Sequence, residues 1–484
     1  MFYLFISLIS VPFLGALLVA PLRRRAADGV AALISGATLL IAIMAIFRSF
    51  GSSWHYITGD MPWLSLREPL IGIQVDALSQ LLLIVITAVG FLVVLYSAGY
   101  MSEWNKEHPT QSGKGRYYFF LLLFIGSMVG LVLSPDFLQL FIFWELTTLC
   151  SWALISYYGT KESVSAGFKA LVITHAAGLF FLAALLIIYY YTNSFAFEAI
   201  AELSGSVKTM VIIFLLIAAW GKAAQFPFFT WLPTAMAAPT PASAYLHAAA
   251  MVKAGIYLTA RMLVSAGVVS PDIGILMGSM ALITMYIGAI FYFFQDDLKR
   301  LLAFSTIAHL SYMLIGLSLG VMGSALAFKG GLLHLINHSF TKSLLFLAVG
   351  AISCATGTRS MNELSGLGKR MPVTTTAFVI GALAISGIPP FNIFWSKFFI
   401  IAGAIKIGTT WGWFAGILAL LESVITFAWF LVVVHKVFFG PCSLKAQKAQ
   451  DPPLTMLVPL IILMICSIIS PYFSLPLIEQ VMGG

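Results

Sequence analysis

Residues 330–350 read GGLLHLINHSFTKSLLFLAVG, an apolar run of bilayer-crossing length that nevertheless contains His334, His338 and Lys342. A helix brings positions i and i+4 to one face, so these three titratable groups form a line along the helix axis, about 6 Å apart per step. Neighbours on such a line can exchange protons through single waters. H-x-x-x-H can also bind a metal. Here no glutamate follows the first histidine and no acidic third ligand is nearby, so metal binding is the weaker reading.

Four more charges lie in equally apolar surroundings: Glu145, Lys222, Lys253 and Lys397. A charge at the centre of a membrane helix costs about 2.5–3.5 kcal/mol, so these four and Lys342 together cost on the order of 15 kcal/mol. Membrane proteins keep such groups mainly to move ions or protons.

The composition agrees. The chain has 484 residues, 60% hydrophobic and only 9% charged, outside the range of soluble domains. It reads as an all-α polytopic membrane protein without room for a sizeable soluble domain. The run 1–20 precedes Arg23, Arg24 and Arg25, the reverse of a cleavable signal peptide, and reads as the first span. Cys150, Cys354, Cys442 and Cys466 are scattered singly, without the pairs that hold iron–sulfur clusters, nickel or zinc. No cofactor or redox metal is expected on this chain. Its net charge of +8 is spread over short loops and reports membrane orientation, not nucleic-acid binding.

Apolar runs bounded by charges, Gly and Pro place about fourteen transmembrane helices near 2–20, 28–47, 77–99, 117–133, 136–157, 166–191, 208–226, 241–265, 273–294, 300–320, 324–353, 373–401, 412–438 and 454–480. Loops after odd-numbered spans hold sixteen basic residues, from Arg23 through Lys106, Lys161, Lys299, Arg300 and Arg359 to Lys448. The other face has five, Arg48, Arg67, Lys208, Arg261 and Lys406, alongside Asp60, Glu68, Glu198, Glu202 and Asp272. The positive-inside bias puts the odd loops in the cytoplasm and both termini outside.

Two spans read as broken. The seventh meets Pro227 just after Lys222, with residues 228–236 able to continue as a half-helix. The twelfth is interrupted by Gly387-Ile388-Pro389-Pro390, with Lys397 seven residues on. Broken helices at membrane depth face protein or a wet cavity. Their separation by five spans fits two inverted five-helix repeats. The expected organisation is therefore an N-terminal three-helix segment over 1–110, the first repeat over 111–270, the second over 271–440 and a last helix in 441–484.

A lysine in hydrocarbon becomes a switchable proton carrier whose charge depends on a nearby acid. Glu145, in Phe143-Trp144-Glu145, is the acid expected to pair with Lys222; a static ion pair that fixes packing is the plainer alternative. His247 and Lys253, six residues apart, are expected to border one cavity. Glu422 is the candidate partner for Lys397. His175 and His309 read as packing residues.

At these residues the chain resembles the antiporter-like subunits of respiratory complex I and its relatives, over essentially its whole length. The resemblance is carried by Phe143-Trp144-Glu145, Trp220-Gly221-Lys222-Ala223-Ala224-Gln225-Phe226-Pro227, Trp231-Leu232-Pro233, Ala238-Pro239-Thr240-Pro241, Tyr245-Leu246-His247-Ala248-Ala249, Asp297-Leu298-Lys299-Arg300, Asn337-His338, Lys342-Ser343-Leu344 and Gly387-Ile388-Pro389-Pro390-Phe391-Asn392. Cys150-Ser151-Trp152-Ala153-Leu154 is most similar to an antiporter-like membrane component of bacterial hydrogenase-4, of the formate hydrogenlyase type. This implies a proton-translocating subunit embedded in the lipid bilayer among other membrane subunits of a hydrogenase or complex I-like assembly, with peripheral nickel–iron and iron–sulfur subunits. It also implies the relay Glu145, Lys222, Lys253, His334, His338, Lys342 and Lys397. Ile393 stands where relatives usually have glycine, and the ending at Gly484 suggests a mid-arm subunit without a lateral helix. A sodium/proton antiporter subunit shares the same charged motifs and remains the second reading; a scaffold that has lost pumping is the third.

Overall fold

The computed structural model describes residues 2–57, 72–109 and 113–483. Asp60, Arg67 and Glu68, placed above on the outer face, lie outside them. Among the described residues the structure is helical apart from loops and one antiparallel strand pair, β1 (Trp54–Ile57) and β2 (Gly72–Val75), that the apolar pattern does not disclose.

The helices run in order α1 (Phe2–Val19), α2 (Arg24–Ser49), α3 (Ala77–Tyr100), α4 (Lys114–Val132), α5 (Phe137–Ile155), α6 (Lys161–Thr192), the single turn α7 (Ala199–Glu202) and α8 (Gly205–Lys222). After the single turn α9 (Trp231–Thr234) come α10 (Thr240–Ala248), α11 (Met251–Ser265), α12 (Pro271–Tyr292), α13 (Leu298–Val321) and α14 (Ala325–Thr356). The chain closes with α15 (Pro372–Ser386), α16 (Asn392–Lys406), α17 (Thr410–Phe438) and α18 (Leu454–Gly483). Among the described residues twelve segments are long and apolar enough to cross a membrane, counting α10 and α11 as one; α1 and the α15–α16 pair bring the crossings to fourteen.

Both expected breaks are present. Past α8, Ala224 takes a left-handed φ of 48°, and residues 228–237 resume as a short helical run, one α turn between two 3-10 turns, where the half-helix is expected. Gly387, with φ 84°, ends α15 in the left-handed conformation that favours glycine, and its N–H reaches back to the Ala384 carbonyl. Ile393 is buried in the first turn of α16, so isoleucine there leaves the break intact.

A third break corrects the single helix expected over 241–265. The Ala249 and Ala250 N–H groups both bond the Tyr245 carbonyl, which ends α10, and α11 restarts at Met251. His247 and Lys253 therefore lie on two separate helices, and one helical wheel does not relate them.

The spans pack in succession, α4 on α5 on α6 on α8 and α12 on α13 on α14 on α16. The apolar windows of α13 and α14 are wholly buried, whereas those of α2 and α17 are only one-third buried. Glycine sets the closeness of the central pair: a Cβ on Gly316 would lie 2.6 Å from the Gly331 Cα. A polar lock adds to it. Asn337 donates to the Asn392 carbonyl at 2.7 Å, Asn392 returns a bond to the Asn337 carbonyl at 3.1 Å, and Ser470 donates to Asn337 Oδ1, joining α14, α16 and α18.

This close approach predicts that Gly331→Val, which adds bulk against the Met313 carbonyl, destabilises the protein by about 1–3 kcal/mol. Thermal unfolding in detergent measures it.

Candidate functional site

Lys222, at the last turn of α8, reaches α5. Its ammonium donates to the Trp144 carbonyl and to Thr147 Oγ1, both at 2.5 Å, and lies 4.5 Å from the centre of the Trp144 indole. A carbonyl, a hydroxyl and a π face replace its lost water.

The direct Glu145–Lys222 ion pair expected from sequence is not formed. Successive residues of a helix point in different directions, and Glu145 turns to α6, where its Oε2 meets His175 Nδ1 at 2.8 Å. His175, set aside above as a packing residue, is half exposed on an apolar flank with Ile142, Leu149 and Val172. Of the five charges, Glu145 is the one that is not enclosed.

The remaining groups converge at the centre. Lys253 Nζ lies 2.9 Å from His338 Nδ1, so α11 meets α14 through a bond that holds whichever partner carries the proton. His309 on α13, also set aside above, stacks on His334 with rings 5° from parallel and Nδ1 3.0 Å from His334 Nε2. Its ring centre is 5.6 Å from that of His338.

The tautomers follow from the acceptors. Ser396 Oγ gives its one proton to the Ile393 carbonyl at 3.0 Å, so it accepts from His334 Nδ1 at 2.9 Å. His334 Nε2 then accepts from His309 Nδ1, which leaves His309 Nε2 as a free base. Neither that atom nor His338 Nε2 has a protein partner. The two rings therefore each keep one nitrogen without a protein partner, with their centres 5.6 Å apart.

Lys397 follows Ser396 on α16 but turns to α17: its ammonium donates to Ser423 Oγ at 2.8 Å, lies 3.8 Å from Glu422 Oε2 and sits 4.6 Å over the Tyr312 ring, which packs on His309 and His334. Glu422, the partner expected from sequence, is fully buried and accepts from Tyr292 at 3.1 Å and Thr426 at 2.5 Å.

Three groups stand off this line. Lys342 donates to the Leu302 carbonyl at 3.1 Å, on α13, although it shares a face with His338. His247 packs on Phe346, with both ring nitrogens lacking protein partners. Lys299, counted above with the cytoplasmic loops, is only 1% exposed; its ammonium donates to the carbonyls of Met236 and Ala238 in the broken stretch after α9, at 2.9 and 2.6 Å. It also lines a polar cavity of about 660 Å³ with Glu107, His108, Lys169, Asp297 and Arg359.

Residues 134–426 match the family described as NADH:quinone oxidoreductase/Mrp antiporter, and residues 63–117 match the complex I chain 5 N-terminus. A short match to the receptor activity modifying family over 425–474 covers two apolar helices and none of the buried lysines. The chain is 35% identical to the chloroplastic NAD(P)H-quinone oxidoreductase subunit 5 of Chara vulgaris over 90% of its own length and 70% of the relative's. Its fold is similar to that of a chain in the Mrp complex from Dietzia sp. DQ12-45-1b, with a TM-score of 0.87 and 29% identity, over 99% of this chain but about half (51%) of that one. It is also similar to a chain of the archaeal membrane-bound sulfane sulfur reductase, with a TM-score of 0.84 and 26% identity, over 99% of this chain and 97% of that one. The chain belongs to the NADH:quinone oxidoreductase/Mrp antiporter family of multi-pass membrane subunits.

Proposed function

We propose that this chain is a proton-translocating membrane subunit of a redox-driven complex. The observation that carries the reading is the interior line from Lys253 through His338, His309 and His334 to Ser396, joined by hydrogen-bond-length contacts and by the His309 and His338 rings 5.6 Å apart, with Lys397 and Glu422 beside it across the Tyr312 ring that packs on His309 and His334. Bases that alternate with hydroxyls, and can hold a proton on either side of a shared bond, suit protons as cargo. Lys222, Lys342 and His247 act beside the line as charged or wettable groups that bias it. The driving energy comes from partner subunits.

The finer reading is a hydrogenase-4 type of assembly with nickel–iron and iron–sulfur subunits, in a bacterial cytoplasmic membrane with both termini periplasmic. It rests on the resemblance of residues 150–158 and on the positive-inside count. The Glu145–His175 pair, half open on an apolar flank, supports a neighbouring membrane subunit on α5 and α6, because a carboxylate and an imidazole facing lipid are costly. The second reading, a sodium/proton antiporter subunit, has support from the Mrp match.

Proton translocation by the assembled complex in liposomes separates the readings. Lys253→Met is expected to lower it on the order of a hundredfold, as loss of a positioned proton-transfer group does. Unaltered translocation would remove Lys253 from the relay. Replacing sodium by choline is expected to leave translocation unchanged, whereas strict sodium dependence would favour the antiporter reading.

A further inference from the structure

The two ends of the bundle around α11 differ. At one end the polar cavity reaches Lys299 and Asp297 at the start of α13 and Tyr100 at the end of α3. At the other end, the start of α3 and the end of α11 are closed by a buried ion pair that no sequence pattern disclosed. Arg261 is 2% exposed, although the charge count placed it at the outer surface. Its Nη2 donates to Asp76 Oδ1 at 2.9 Å and its Nη1 to Oδ2, a bidentate fork. Nη2 and Nε also donate to the Tyr257 hydroxyl, at 2.8 and 3.3 Å, and Tyr257 passes its own proton to the Val132 carbonyl at 2.9 Å. The Phe197 ring lies 5.2 Å from the guanidinium centre.

These contacts gather the ends of α3, α4 and α11 with the segment before α7 into one collar. Asp76 is itself fixed, as its Oδ1 accepts from the Ser79 N–H and its own N–H donates to Ser79 Oγ, a capping box at the start of α3. Burial pushes the Asp76 carboxyl up, but the Arg261 guanidinium and the Ser79 bonds outweigh it and hold its pKa below the ordinary value. The carboxylate thus stays charged near neutrality.

Lys253, Tyr257 and Arg261 follow at four-residue spacing along α11, so Arg261 stands over Lys253 on nearly the same face, about 12 Å nearer the closed end. A guanidinium never gives up its proton at ordinary pH, and an arginine on a proton's route is an electrostatic barrier to it.

We propose that Arg261, held by Asp76 and Tyr257, is a fixed-charge plug that closes this end of α11 to protons, so that Lys253 exchanges protons only with the histidine cluster. The plug rests on the proton-relay reading. Without it, Lys253 would offer protons a short-circuit to the membrane face at the collar.

The test is passive proton flux into liposomes holding the assembled complex, driven by a valinomycin–potassium potential, without electron donor and followed by an internal pH dye. Arg261→Gln is expected to raise the flux on the order of tenfold, because the guanidinium is gone and the Asp76 carboxylate it balanced is left to draw protons, and Arg261→Lys, which keeps the positive charge, to stay near wild type. Adding Lys253→Met to Arg261→Gln is expected to restore tightness. Flux in Arg261→Gln equal to wild type overturns the plug. So does a leak that persists in the double variant, since that reports a loosened bundle. Asp76→Asn keeps the guanidinium and is expected to remain tight; a leak there overturns the fixed-charge account even where Arg261→Gln does not assemble. Failure of the relay reading shows separately, as coupled translocation that survives Lys253→Met alone.

Discussion

An ammonium inside a bilayer must be solvated by protein, and this constraint organises the bundle. Each interior lysine has found its substitute for water: the Trp144 carbonyl, Thr147 hydroxyl and indole face for Lys222, an imidazole nitrogen for Lys253, and two carbonyls of an unwound stretch for Lys299. The Leu302 carbonyl serves Lys342, while Ser423 and Glu422 serve Lys397. Most of these acceptors belong to another helix, so each lysine pins two elements together. The broken segments after α8 and between α15 and α16 are where backbone leaves the helical pattern next to such charges.

What the sequence discloses is whatever is written locally. Single charges in apolar runs, prolines after Lys222 and before Lys397, and the four-residue stripe of His334, His338 and Lys342 each carry their own signal, and the fourteen spans follow from them. Partnerships between distant segments carry none. Glu145 bonds His175 and not Lys222, and His309 joins His334 across 25 positions. An isolated histidine in an apolar helix reads the same whether it packs or relays. The split between α10 and α11 is equally silent, because it occurs in Ala248-Ala249-Ala250 with neither proline nor glycine to mark it. Arg261 and Lys299 sit at helix ends, where a charge ordinarily reports topology, and only packing shows that both are enclosed.

The histidine cluster connects these local signals to a mechanism. Two wholly buried helices are drawn together by facing glycines, and the rings they carry stack face to face as a result. Close backbone approach thereby sets the spacing on which proton exchange depends. The two ends of the bundle differ, with a polar cavity at one and the Asp76–Arg261 collar at the other.

His309 is the residue on which structure and sequence disagree most, since only the structure places it in the line. The ratio of protons moved to electrons passed by the assembled complex, with His309→Phe in place of the wild-type chain, therefore tests the account most directly. A continuous relay predicts that electron flow persists while the ratio falls by the share this subunit carries. A ratio equal to that of the wild type would contradict it.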